Sequence, residues 1–140
     1  MKQLAFALAF LFSLSLSAQY WQQKVDYTMT VELDAETADY SGTQQLVYTN
    51  APETLTKVFY HLYFNAFQPE SDMAIRLKNG GDKNRRFKVS LDTLTPYQQG
   101  YLKVSSLKQD GVPVQTVESG TILEVTLNKP LVSGASTVLD

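Results

Sequence analysis

Residues 25–50 read VDYTMTVELDAETADYSGTQQLVYTN, and in the first nine of them apolar and polar side chains alternate without a break. Val25, Tyr27, Met29, Val31 and Leu33 point one way, and Asp26, Thr28, Thr30 and Glu32 the other. A period of two with one apolar side is the pattern of a half-buried β-strand. The polar run DAETAD (34–39) closes that strand. YSGTQQLVYTN (40–50) supplies a second strand rich in Thr, Tyr and Val, and NAPET (50–54) makes the next turn.

Leu55 to Asn65 is predicted as the third strand, with Val58, Tyr60, Leu62 and Phe64 on one face and Lys57, Phe59, His61 and Tyr63 on the other. Both faces are partly apolar, so this strand is expected inside a sheet and covered on both sides. Between Gln68 and Gln99 the periodicity fades. SDMAIRLKNGGDKNRRFK (71–88) has the charge and Asn-Gly-Gly content of a long exposed loop. In LTPYQQG (94–100), Thr95 can cap, Pro96 suits a first helical position and Gly100 an exit, so a short helical turn is expected there.

The last third returns to strands: YLKVSSLKQ (101–109), an Asp110-Gly111 hairpin signal, VPVQTVE (112–118), a Ser119-Gly120 turn, and TILEVTL (121–127) with Leu123, Val125 and Leu127 on one face. Pro113 lacks an amide hydrogen and belongs at a sheet edge or beside the turn. After NKPLVSG (128–134) a further strand opens at Ala135, and the sequence stops within it. Unpaired backbone and exposed Val138 and Leu139 are the expected result, so the chain reads as cut. The fold class is all-β, and no fixed-period repeat points to a solenoid.

The bulk composition narrows the function. At 140 residues, 44% hydrophobic and 19% charged, the chain fits one globular domain rather than a disordered or fibrous segment. A net charge of −2 provides no global basic field for sequence-independent nucleic-acid binding. MKQLAFALAFLFSLSLSAQ (1–19) runs from a lysine through an apolar stretch to small residues at Ala18, the layout of a secretory signal peptide. Its apolar stretch is shorter than the roughly 20 residues a membrane helix needs, so residues 1–18 are expected to be removed and no span to remain. The absence of cysteine excludes disulfides, thiolate ligands and a lipidated cysteine, and an exported domain of this kind suits a periplasmic or secreted protein.

Candidate sites are few. His61 is the one histidine, and zinc asks for three or four ligands that its alternating neighbours Phe59 and Tyr63 do not supply, so it is read as a hydrogen-bonded residue on a partly covered sheet face. One imidazole also excludes His-Glu-x-x-His, and no serine stands in a Gly-x-Ser-x-Gly elbow. Arg76, Lys78, Lys83, Arg85, Arg86 and Lys88 give the segment from Asp72 to Lys88 a basic excess, read as a solvated loop. Gly80-Gly81 lacks the strand-to-helix context of a phosphate cradle. Asp26, Glu32, Asp34, Glu36 and Asp39 form no acid/base pair by spacing, and the eight tyrosines suit strands as well as a sugar platform. No catalytic, cofactor or metal residue is assigned.

Three stretches together resemble one family: VDYTMTVELDAETADYSGTQQLVYTN (25–50), VFYHLYFNAF (58–67) and GYLKVSSLKQDGVPVQTVESGTILEVTLNKPLVSG (100–134). They are similar to the N-terminal domain of aminopeptidase N-like zinc metallopeptidases. The features are the Tyr27-to-Leu33 strand, Gly42 in the next strand, the aromatic-Leu-Tyr run, and G-x-L-x-V followed by L-x-V-x-L-x-x-P-L-x-x-G. The similarity spans Gln23 to Val138, with Gln68 to Gln99 the least typical part. The resemblance implies an antiparallel β-sandwich, saddle-like, placed ahead of a thermolysin-like catalytic domain whose cleft it partly covers. It also implies a parent enzyme that removes N-terminal residues from peptides, with zinc held in a catalytic domain absent from these 140 residues. The family's zinc ligands, Gly-x-Met-Glu-Asn strand and catalytic tyrosine have no matching positions in this sequence. The alternative is a stand-alone periplasmic or surface module that binds carbohydrate or protein through a Tyr-rich sheet face.

Overall fold

The computed structural model describes residues 22–80 and 90–140, and the expected signal peptide at 1–18 lies outside them. Strands β1 (Lys24–Leu33) and β2 (Tyr40–Thr49) form an antiparallel hairpin whose register runs unbroken from Lys24↔Thr49 to Leu33↔Tyr40. Asp34 opens the connection: its Oδ1 accepts the N–H groups of Glu36 (2.8 Å) and Thr37 (3.3 Å). This is the side-chain turn that Asp forms readily. The same two N–H groups hold the Asp34 carboxyl below its usual range.

The third strand is shorter than its alternation suggests. β3 spans Leu55–His61, and Tyr63–Phe67 then winds into a 3₁₀ turn. The buried Asn65 makes that turn necessary: its Nδ2 donates to Glu118 Oε1 (2.9 Å) and its Oδ1 accepts the Leu102 N–H (2.8 Å). A strand continued to Asn65 could not aim one side chain at two other segments in this way. The expected long loop also contains structure, since helix α1 occupies Asp72–Lys78. Ser71 caps it, with Oγ accepting the Ala74 N–H at 3.1 Å, and Asp72 in the first turn and Arg76 and Lys78 in the last suit the helix dipole. Met73, Ala74 and Leu77, at helical spacing, are its covered residues. The expected turn after Thr95 forms at Pro96–Gln98, where the Thr95 N–H donates to Gln98 Oε1 at 3.1 Å.

Of the stretch 101–109, only β4 (Lys108–Gln109) is a strand; residues 101–107 lie outside the ladders, although the Leu107 carbonyl accepts the Val114 N–H at 3.2 Å and Leu102 and Leu107 pack on the core. Asp110 and Gly111 take φ of 49° and 80° and lead into β5 (Val112–Pro113), which forms the sheet edge that Pro113 requires. β6 (Gln115–Ser119) turns at Gly120 into β7 (Ile122–Leu131), and β8 (Ser136–Leu139) follows.

The strands make two antiparallel sheets, one in the order β1-β2-β8-β4-β5 and one in the order β3-β7-β6. The protein is mostly β, as the alternation requires. One hydrophobic cluster takes Leu46 and Leu139 from the larger sheet and Val58, Leu123, Val125, Leu127 and Leu131 from the smaller, with Leu62 just beyond β3. Burial of such side chains contributes about 1.5–3 kcal/mol each.

Two expectations are overturned here. β3 is an edge strand, not an inner one, because β7 pairs with it on one side only. The final strand is not a loose end: β8 lies between β2 and β4, and Leu139 is completely buried. The backbone of Asp140 also exchanges hydrogen bonds with Lys108 at 2.7 and 3.0 Å.

Candidate functional site

Antiparallel pairing places directly opposed residues on one sheet face. Tyr27 opposes Leu46, which opposes Leu139, so the apolar side of β1 is the same sheet face that meets the core cluster. Only part of that face is covered. Exposure climbs along β1 from 41% at Val25 through 53% at Tyr27, 54% at Met29 and 60% at Val31 to 70% at Leu33. The expected half-buried strand is thus exposed on both faces, because the hairpin extends past the smaller sheet.

The distal end of this surface is aromatic. Tyr40, opposite Leu33, meets Phe64 with ring centroids 6.0 Å apart at 52°, and both rings are exposed. The Tyr97 hydroxyl donates to the Glu36 carbonyl at 3.4 Å, which brings the 3₁₀ turn at Pro96–Gln98 against the hairpin connection. Tyr27, Met29, Val31, Leu33, Tyr40 and Phe64 are joined in this way on one exposed apolar surface. Surfaces of this kind mark sites of interaction with other molecules. Alternation identified the β1 row, but the placement of Phe64 depended on the 3₁₀ turn, which had no periodic signal.

A side chain holds the two sheets together. Buried Gln109, from β4, accepts the Lys129 N–H at Oε1 (3.1 Å) and donates from Nε2 to the Lys129 carbonyl (2.9 Å) and to Thr137 Oγ1 (3.2 Å). The amide thus acts as a missing strand neighbour where β7 passes its register shift against β3. Asn50, also buried, donates from Nδ2 to the carbonyls of Leu131 (2.7 Å) and Glu53. Asp110 accepts from the Val138 N–H and the Thr137 hydroxyl, both at 2.9 Å, and these bonds hold its carboxyl below the usual range. None of these polar groups had a spacing signal in the sequence, because each partner is distant along the chain.

The sequence-derived candidates do not converge. His61 is exposed and stacks on Tyr63, ring centroids 5.2 Å apart at 9°, in place of the hydrogen bond expected on a partly covered face. Asp26 pairs with Lys24 at 2.9 Å on the outside of β1, while Asp34, Glu36 and Asp39 sit at the connection. Arg76 and Lys78 are helical, and Lys78 reaches Asp92 at 3.7 Å; Lys83, Arg85, Arg86, Lys88 and Gly81 lie outside the described residues. Among the described residues, no three His, Cys, Asp or Glu side chains gather as metal ligands, and no helix is long and apolar enough to cross a membrane. The Tyr60 hydroxyl is buried with no hydrogen-bond partner among the described residues. Burial, followed by the neighbouring Tyr27 phenol, pushes Tyr60 up to about 12.

Among the described residues no three metal ligands gather here, and what the surface presents is exposed apolar and aromatic area. No family model matches the chain, and no curated protein and no solved structure matches it.

Proposed function

We propose that the protein is the non-catalytic N-terminal scaffold domain of an exported zinc aminopeptidase, a saddle-like β-sandwich that docks on a catalytic domain of the same polypeptide. The observation that carries this reading is the uncovered apolar face of β1 and β2, which continues a core face outward to Leu33, Tyr40 and Phe64. A folded neighbour laid on that face would complete the burial that the smaller sheet begins. The parent enzyme would hydrolyse N-terminal residues from peptides, with zinc held in the neighbouring domain. Among the described residues no three ligands gather as zinc would need, and the single imidazole is stacked on Tyr63.

The test is twofold. Reading the coding frame past Asp140 should find His-Glu-x-x-His within a few hundred residues, and the 140-residue chain supplied with zinc should show no aminopeptidase turnover. A natural stop without that motif, or turnover by this chain alone, defeats the proposal. Export is checked by N-terminal sequencing of the secreted protein, which should begin near Gln19.

A second reading rests on the outer face of the smaller sheet, where Phe59 and the His61–Tyr63 stack are exposed. Such rings suit a stand-alone module that stacks on a sugar ring or an apolar peptide. Saturable glycan binding that Phe59→Ala and Tyr63→Ala abolish would favour it over the scaffold.

A further inference from the structure

β1 is an outer strand of the five-stranded sheet, ten residues long, paired with β2 without a bulge. It contains no proline, and none of its charges falls on its apolar face. Proline, a bulge and an inward-pointing charge are among the devices that protect sheet edges, and of the others β1 has charges on its polar face alone, Lys24, Asp26 and Glu32. We infer that the free edge of β1 pairs antiparallel with β1 of a second copy of this chain, centred on Thr28, so that two five-stranded sheets become one.

The ladder determines which backbone groups are available. The Asp34 N–H donates to the Asp39 carbonyl at 2.8 Å, one step beyond the Leu33↔Tyr40 pair. In an antiparallel ladder, hydrogen-bonded and non-bonded pairs alternate. Even-numbered residues of β1 therefore bond to β2, and Val25, Tyr27, Met29, Val31 and Leu33 carry their N–H and C=O groups to the open edge. Odd residues can meet only odd residues across a two-fold axis, so the axis passes through a residue and never between two. The apolar rows of the two copies then fall on the same face of the joint sheet.

Charge selects between the two registers of longest overlap. Centring on Met29 sets Asp26 opposite Glu32 twice, which places like charges face to face. Centring on Thr28 sets Lys24 opposite Glu32 twice, with Val25 opposite Val31 and Tyr27 opposite Met29. The Thr28 register is therefore self-complementary in both charge and apolar contact. Lys24 is paired with Asp26 in an exposed ion pair, its side chain 69% exposed, and such a pair is weak enough for the ammonium to turn to Glu32 of the second copy. This interface uses the strand edge and not the apolar face, so it stands or falls independently of the scaffold reading.

Sedimentation equilibrium on the full chain, over a concentration series, tests it. The wild type should show a monomer–dimer equilibrium. Glu32→Lys, which sets Lys24 against a second lysine at both ends, should raise the dimer dissociation constant about tenfold. A 1:1 mixture of Lys24→Glu and Glu32→Lys chains should form a heterodimer tighter than either homodimer. Both side chains are exposed, and circular dichroism of each variant checks that the monomer is intact. A monomeric mass throughout overturns the inference, and so does a dimer that Glu32→Lys tightens or leaves unchanged. Tightening is the result the Met29 register would give, because Asp26 would then meet a lysine.

Discussion

At the scale of the residue, the polar side chains that carry most structural weight are buried amides. Replacing Gln109 with Leu keeps the volume but strips partners from both the N–H and the C=O of Lys129. These bonds are only partly buried, so water can meet part of the loss, and Gln109→Leu is expected to lower stability by about 1–3 kcal/mol in urea unfolding. Tyr60 presents the reverse case, with a buried hydroxyl that bonds to nothing among the described residues. Tyr60→Phe should be neutral to stabilising by up to about 1 kcal/mol at pH 7. The unfolded phenol ionises near pH 10 while the folded one holds its proton to about 12. The folded state therefore loses stability as pH rises from 10 through 12, and the advantage of Tyr60→Phe over wild type should widen in that window. Asp110 has the opposite sign: its lowered pKa means that its contribution is complete above about pH 4 and fades as the pH falls through the depressed value. The stability difference between wild type and Asp110→Asn should shrink accordingly on acidification. Such residues escape sequence reading because a lone Gln or Asn has no period, and its partner is 20 or more positions away for Gln109 and 81 for the Asn50–Leu131 bond.

At the scale of the element, the β1–β2 hairpin depends on one close approach. A Cβ added at Gly42 would lie 2.3 Å from the Thr30 carbonyl oxygen, and the obstacle is backbone that cannot swing aside. Gly42→Ala should therefore cost about 1–3 kcal/mol and speed amide exchange at Thr30 and Glu32, whose N–H groups bond to β2 where the strands would have to part. The hairpin itself was legible, as were the Asp110-Gly111 turn, the Pro113 edge and the buried Leu123, Val125 and Leu127 side of β7. Each depends on alternation or on turn chemistry within a few residues. Helix α1 was missed although Ser71, Asp72, Arg76 and Lys78 stood at capping and dipole positions, because the adjoining charged and Asn-Gly-Gly residues masked its short apolar stripe. The end of β3 was overrun because Leu62 and Phe64 extend the alternation past His61, while the tertiary bonds of Asn65 turn the chain.

At the scale of the whole molecule, the five-stranded sheet extends further than the three-stranded sheet covers. Substituting Met29 and Val31 together by Thr should leave urea stability within about 0.5 kcal/mol per site, since both side chains are more than half exposed. The same change should reduce binding of an apolar dye to the chain, and an unchanged dye signal would place the exposed surface elsewhere. In the parent enzyme proposed above, these substitutions would weaken docking of the neighbouring domain while leaving this domain folded.

The sequence by itself determined that the chain folds into strands, which side chains share a face, where the Asp110-Gly111 hairpin turns, and that one histidine cannot supply a His-Glu-x-x-His motif. Those properties follow from local periodicity, turn preferences and counting. Only the tertiary structure decided that β8 enters between β2 and β4, that β3 lies at an edge, and that the apolar row of β1 runs out from under the other layer towards Leu33. The reason is that alternation assigns residues to a face but contains nothing about what lies opposite it. That depends on pairings between strands far apart in the chain, and here it leaves Leu139 sealed and Leu33 open although both belong to apolar sides of strands in the same sheet.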